Sequence, residues 1–165
     1  MPTIVTLVKH VPDTWSTKTL EDDHTLDRTS VDNVIDEVNE YSVEQALRLR
    51  DDNPDAGFKV VALTMGPAQA DEALRKALAM GADDAVLVSH DSLAGADALS
   101  TAWTLNAALN KLDDVQLITA GTEASDASTG LLTGLLAEYR QLPALTALHK
   151  VELADGTLQG TRDDA

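Results

Sequence analysis

Apolar residues fall in short runs, and each run is followed by a stretch where they recur every three or four positions. Short alternating or β-branched runs predict strands, and the 3.6-residue spacing predicts helices. Residues 3–8 (TIVTLV) form the first such run. Residues 10–35 are then polar, with VPDTW and LEDDHTLDRTS, and predict a long excursion or a small hairpin. Asn39 is placed to cap a helix that runs to about Arg50, with Val43, Ala46, Leu47 and Arg50 at helical spacing. After the turn NPDAG, residues 59–64 (KVVALT) predict a second strand. Gly66-Pro67 opens a second helix with an apolar stripe of Ala70, Ala73, Leu74, Ala77 and Leu78, and Gly81 closes it.

Residues 84–89 (DAVLVS) predict a third strand. A third helix carries Ala98, Ala102, Leu105 and Leu109, with Trp103 alongside, and residues 115–120 (VQLITA) form a fourth strand. Leu131, Leu132, Leu135, Leu136 and Tyr139 mark a fourth helix, starting near Ser128. Residues 145–153 alternate as a fifth strand, and ADG at 154–156 turns a hairpin whose return begins TLQGTR.

Strands alternating with helices predict an α/β fold: a three-layer, open, mainly parallel sheet with helices on both faces, Rossmann-like, plus a C-terminal hairpin. Residues 1–165 are enough for one such domain, with the excursion at 10–35 included. Because the chain stops just after the hairpin has turned, it is expected to be a fragment of a longer subunit. Ligands of these sheets sit outside the carboxyl ends of the strands, which directs attention to the segments after Val8, Thr64 and Ala120.

The segment after Ala120 reads GTEASDASTGLL. Gly121, Gly130 and Gly134 would let the backbone approach a ligand closely. Ser125, Ser128 and Thr129 add hydroxyl donors, and the following helix would turn free N–H groups toward the loop. Such a loop can hold a phosphate, although it contains no lysine or arginine. The same residues also suit a plain strand-to-helix turn. Asp126 is a conceivable base but fits better as an acceptor for backbone N–H groups of its own loop. Met65, opening the helix after the second strand, suits either a base or ribose contact or core filling.

Composition narrows the classes. A formal charge of -16 repels nucleic acid and anionic membrane surfaces. It reads as a solvated acidic surface, or as one that docks on a basic partner. Aromatic residues are 3% of the chain, so the core must be aliphatic and alanine-rich. With no cysteine, disulfides, thiolate chemistry and cysteine zinc sites are excluded. No leader or spanning segment is recognised, so a cytoplasmic protein without membrane insertion is expected. There is no Walker-A lysine, G-x-G-x-x-G, G-x-S-x-G or H-E-x-x-H. The histidines are scattered, and Asp13, Asp22, Asp23 and Asp27 read as a solvated loop rather than a metal site. A nucleotide-binding domain without visible catalytic machinery points to a binding or carrier role rather than an enzyme.

Several motifs taken together resemble one family. VKHVPDTW resembles the VK-x-VPDT opening of electron transfer flavoprotein β subunits, and DEVNEYSVEQALRLR resembles their NPFDE-x-A-VEEALRLKE. LTMGPAQADEALRKALAMGADDAVLV is close to the family's GP and LRKALAMGAD signature, and this is the most specific match. GTEASDASTG stands where the family has GKQAIDGDTGQ, and LAEYRQLPALT resembles LAE-x-LGLP-x-x-T. The likeness runs along the whole chain, and the LDR and DEVNE details look actinobacterial.

The resemblance implies a heterodimer with an α subunit that holds most of the FAD, while the β subunit holds a structural AMP. It implies electron transfer from acyl-CoA and related dehydrogenases, as in fatty acid oxidation, to a membrane quinone oxidoreductase. By the same resemblance, AMP would touch Leu7, then Asp36, Glu37, Val38 and Asn39 ahead of the first helix, then Met65. It would also touch the loop of Gly121, Thr122, Glu123, Ala124, Ser125, Asp126, Ala127, Ser128, Thr129, Gly130, Leu131 and Leu132. Thr14 and Trp15 would lie near the flavin. The family's Asn-Pro-Phe is Asp36-Glu37-Val38 here. Its loop Lys, Gln, Ile, Asp and Gln are Thr122, Glu123, Ser125, Ser128 and Leu131. Two alternatives stay open: an ATP-binding universal-stress-type nucleotide-sensing domain, and a bifurcating flavoprotein subunit with a second FAD in the AMP site.

Overall fold

A computed structural model of the chain describes residues 1–162; the last three residues of the expected domain lie outside that part. The central sheet has four parallel strands: β1 (Thr3–Leu7), β4 (Lys59–Met65), β5 (Asp84–Val88) and β6 (Val115–Thr119), in the order β5-β4-β1-β6. Every residue of β1 is buried, which explains its continuous apolar run: a parallel strand covered on both faces has no solvent side to make polar. The polar excursion begins and ends in a short antiparallel pair, β2 (His10–Pro12) with β3 (Asn33–Ile35), so of the two expectations it is the long excursion, at 13–32, tied at its base by two short strands.

The helices are α1 (Glu37–Asp51), α2 (Asp71–Met80), α3 (Ala98–Leu109) and α4 (Leu132–Arg140). Ile4 and Val8 of the first strand segment pack with Val43, Ala46 and Leu47 of α1 and Ala73, Leu74 and Ala77 of α2. The intervening Val5 and Leu7 point the other way, onto Ala102, Leu105 and Leu109 of α3 and Leu136 of α4. The result is the expected three-layer sandwich. Fully buried alanines at 46, 73, 77 and 102 let the helices lie close to the sheet, where an aromatic-poor core needs them.

Four boundaries differ from the sequence expectation: Met65 ends β4 rather than opening a helix, and α2 begins only at Asp71, after a 3-10 turn at Ala68–Ala70. The first helix is capped by Asp36, whose side chain accepts from the Val38 amide (3.4 Å), rather than by Asn39, which sits inside the first turn. The fourth helix starts at Leu132, four residues after Ser128. Ser128 (φ 46°) and Gly130 (φ 59°) are left-handed, and a right-handed helix cannot pass through them. The last predicted strand is β7 (Lys150–Ala154), not 145–153, because Ala147 is also left-handed. It pairs with β8 (Thr157–Thr161) in a separate hairpin, not in the central sheet. Its turn, Asp155-Gly156, has positive φ at both residues, as a two-residue hairpin requires. Val151, Leu153 and Leu158 of this hairpin pack against the cluster under α1.

Topology fixes where the chain can leave an opening. From β1 the chain moves through α1 to β4 and through α2 to β5, then crosses back by α3 to β6 on the far side of β1. Strand order therefore reverses between β1 and β6. Their following loops diverge to opposite faces and leave a crevice at the carboxyl edge.

Candidate functional site

The crevice is bounded by the end of β1, the start of α1 and residues 120–131. Lys9 is pinned to the helix start on both sides: its amide donates to Asn39 Oδ1 (2.7 Å), and its carbonyl accepts from the Asp36 amide (3.0 Å). Asp36 is 1% exposed. Its second carboxylate oxygen accepts from the Ser125 amide (2.8 Å), tying the cap of α1 to the loop after β6. Gly121 lies against the same helix start. A Cβ there would meet Asn39 Nδ2 at 2.9 Å and Val38 Cβ at 3.2 Å, so protein packing already demands glycine at this position.

Asp126 behaves differently from its expected role. Its carboxylate accepts from two cationic side chains, Lys9 Nζ (2.8 Å) and the Arg28 guanidinium, rather than from backbone N–H groups of its own loop. Its side chain is fully buried, whereas Lys9 and Arg28 are each a little over a third exposed. Burial pushes this carboxyl up, but the hydrogen bonds and charges of Lys9 and Arg28 outweigh it and hold it below the ordinary carboxylate range. A loop without a basic residue thus meets two, one from the end of β1 and one from the excursion. Neither was singled out from the sequence. The available signals were the lysine within VKHVPDT and a lone arginine among Asp22, Asp23, Asp27 and Asp32.

The loop's own backbone changes hand along its length. Ser128 and Gly130 have positive φ, and Leu131 returns to φ -94°, ψ -20°. Alternating hand turns successive N–H groups to one side, the geometry of an anion-binding nest. Among the described residues, the amides of Thr129, Gly130 and Leu131 donate to no protein acceptor, while those of Ser125, Ala127 and Ser128 are used. The exposed carboxylate of Glu123 stands beside the nest, 3.8 Å from where a Gly130 Cβ would be. Next to the loop is a small cleft of ≈ 70 Å³ lined by Thr14, Asp36, Glu37, Val38 and Ser125 with Val11, Pro12, Val34 and Ile35.

The other expected residues are spread more widely. Leu7 is 6% exposed and packs into the cluster under α3 and α4, and the half-buried Met65 packs against that same cluster. Thr122, Ala127 and Thr129 are exposed, Ala124 and Leu132 half-buried. Trp15 is almost wholly exposed, on the turn after β2. Gly134 lies within α4 with nothing near it, so no close approach explains it. The donors of this loop are of the kind that phosphate takes: three unused amides at 129–131, hydroxyls on Ser128 and Thr129, and two cations bonded to Asp126 of the same loop.

Comparison with known proteins supplies the family. The electron transfer flavoprotein domain model matches residues 23–163. The chain is 45% identical to the electron transfer flavoprotein subunit beta of Mycobacterium tuberculosis, over 99% of this chain and 62% of that protein. It is 36% identical to the caffeyl-CoA reductase-Etf complex subunit CarD of Acetobacterium woodii, over 92% and 57%. It is 38% identical to the acryloyl-CoA reductase electron transfer subunit gamma of Anaerotignum propionicum, over 87% and 53%. The chain thus spans less than two thirds of the length of these relatives. No helix among the described residues is long and apolar enough to cross a membrane. With the family model covering most of the chain, and the parallel sheet and C-terminal hairpin in place, this protein belongs to the electron transfer flavoprotein family.

Proposed function

We propose that the chain is the nucleotide-binding part of an electron transfer flavoprotein β subunit. It would pair with an α subunit and help carry electrons from acyl-CoA and related dehydrogenases to a membrane quinone oxidoreductase, from the cytoplasm. FAD, held mainly by the α subunit, supplies the redox chemistry when bound. The residues of this chain bind and position. The nest at 128–131 would take the phosphate of a structural AMP through amides of Thr129, Gly130 and Leu131. Val38 and the helix start, which line the cleft with Thr14, would border its nucleoside, and Thr14 and Trp15 would face the flavin side. The observation that carries the nucleotide assignment is the set of unused loop amides at the point where strand order reverses.

A second reading has specific support. Two relatives belong by name to CoA-reductase systems, which favours a bifurcating variant with a second FAD in place of AMP. One experiment separates the two. The full-length subunit is co-expressed with its α partner, the complex is denatured, and the released nucleotides are quantified by chromatography. One FAD and one AMP per heterodimer support the carrier assignment. Two FAD without AMP move the protein to the bifurcating class. ATP without flavin, or no stable complex, would sink both and favour a stress-type nucleotide-sensing domain.

A further inference from the structure

Two cations converge on one carboxylate at the loop after β6. Asp126 neutralises one positive charge at most, so the Lys9–Asp126–Arg28 group carries a net charge of about one positive unit. A strut needs only one cation; a second raises the cost of bringing charge to a partly buried place. The excess stands out on a chain with a formal charge of -16. Both cations keep more than a third of their side-chain surface open, while the carboxylate between them has none. The buried acid therefore holds both cations at the loop while leaving each partly open to solvent.

We infer that Lys9 and Arg28 are the countercharges for the phosphate held at the loop, with Asp126 as the residue that positions them. This rests on the nucleotide assignment above and extends it. The loop supplies directional amides, the end of β1 supplies Lys9, and the excursion supplies Arg28. The excursion is thereby part of the nucleotide site and not merely a solvated insertion. Because the cations act on charge, they should distinguish AMP from adenosine and leave the nucleoside contacts alone.

The test uses the full-length heterodimer stripped of bound nucleotide. AMP and adenosine are each titrated against wild type, Arg28→Ala and Arg28→Lys. Arg28 sits on the exposed excursion, and its replacement leaves the buried carboxylate paired with Lys9. Arg28→Ala should weaken AMP about tenfold while adenosine binding stays within twofold, and Arg28→Lys should restore most of the difference. The wild-type preference for AMP should also shrink as salt is raised. An equal loss for AMP and adenosine would mean that Arg28 only braces the fold; no loss for either would mean that it does not face the ligand. Either result overturns the inference and leaves the nucleotide assignment standing. A wild-type complex that binds neither compound would instead remove the assignment, and this inference with it.

Discussion

Gly121→Ala puts the packing of the crevice to a direct test. The new methyl group would lie 2.9 Å from Asn39 Nδ2 and 3.2–3.3 Å from two atoms of Val38. Asn39 cannot simply swing aside. It is 7% exposed, and its Oδ1 accepts the Lys9 amide at 2.7 Å. Forcing a methyl into such a place costs about 1–3 kcal/mol, and loosening the Asn39–Lys9 bond adds about 1 kcal/mol. Against this stands the smaller entropy of an unfolded alanine chain, about 0.4–1 kcal/mol in favour of the variant, since Gly121 is not left-handed. The net expectation is a loss of about 1–3 kcal/mol. Urea unfolding of the full-length subunit reads this as a lower midpoint at unchanged slope. Gly134→Ala is the internal control: it lies in α4 with open space around it, and should stabilise by about 0.5–1 kcal/mol. The heterodimer carrying Gly121→Ala should also retain less nucleotide, because displacing Asn39 disturbs the helix start and the loop together. A Gly121→Ala protein as stable as wild type, beside a stabilised Gly134→Ala, would refute the claim that contact with Val38 and Asn39 selects glycine.

Three further outcomes follow from the same geometry. Asp126 has a depressed carboxyl, so its stabilisation is complete above the ordinary value of 3.8 and is lost as pH falls through the lower folded value. Asp126→Asn should therefore cost about 1–3 kcal/mol at neutral pH and flatten the acid limb below about pH 4. Urea melts from pH 7 to pH 3 that fall in parallel for both proteins would contradict this. Glu123→Gln removes a carboxylate beside the nest and should tighten AMP about two- to fivefold by calorimetry, with adenosine unchanged. Leu136→Ala truncates a side chain that is 3% exposed on the buried face of α4 and should cost about 2–5 kcal/mol in the same melts.

The layer architecture was legible because burial on both faces writes itself into sequence. The run TIVTLV, the stripe at Ala73, Leu74 and Ala77, and the hairpin turn at Asp155-Gly156 each record a local constraint. Boundaries were less legible where backbone hand decided them. Nothing in STGLL says that Ser128 is left-handed; only Gly130 hints at it, so the helix was expected four residues early. The cap of α1 went to Asp36 because its other oxygen is also wanted by Ser125, a partner 89 positions away that local pattern cannot display. The Lys9–Asp126–Arg28 group was illegible for the same reason: its members are separated by 98 and 117 positions. A loop lacking lysine and arginine in its own sequence was not, in three dimensions, a loop lacking cations.

That last point bears on how, under the proposed assignment, an acidic protein would hold an anion. A net charge of -16 opposes the approach of any phosphate, and each exposed carboxylate near the crevice, Glu37 and Glu123 among them, adds to the opposition. Screening limits the reach of distant charges to about 8 Å at physiological salt, so the local inventory outweighs the total. Locally there are amides fixed in direction by Ser128 and Gly130, and two cations fixed in position by Asp126. Amide dipoles need no counter-ion and survive salt; the cations supply the longer-ranged attraction that amides lack. On the proposed assignment, this division would let the loop do without a basic residue of its own between β6 and α4. The charge would come instead from Lys9, just past β1, and from Arg28 of the excursion.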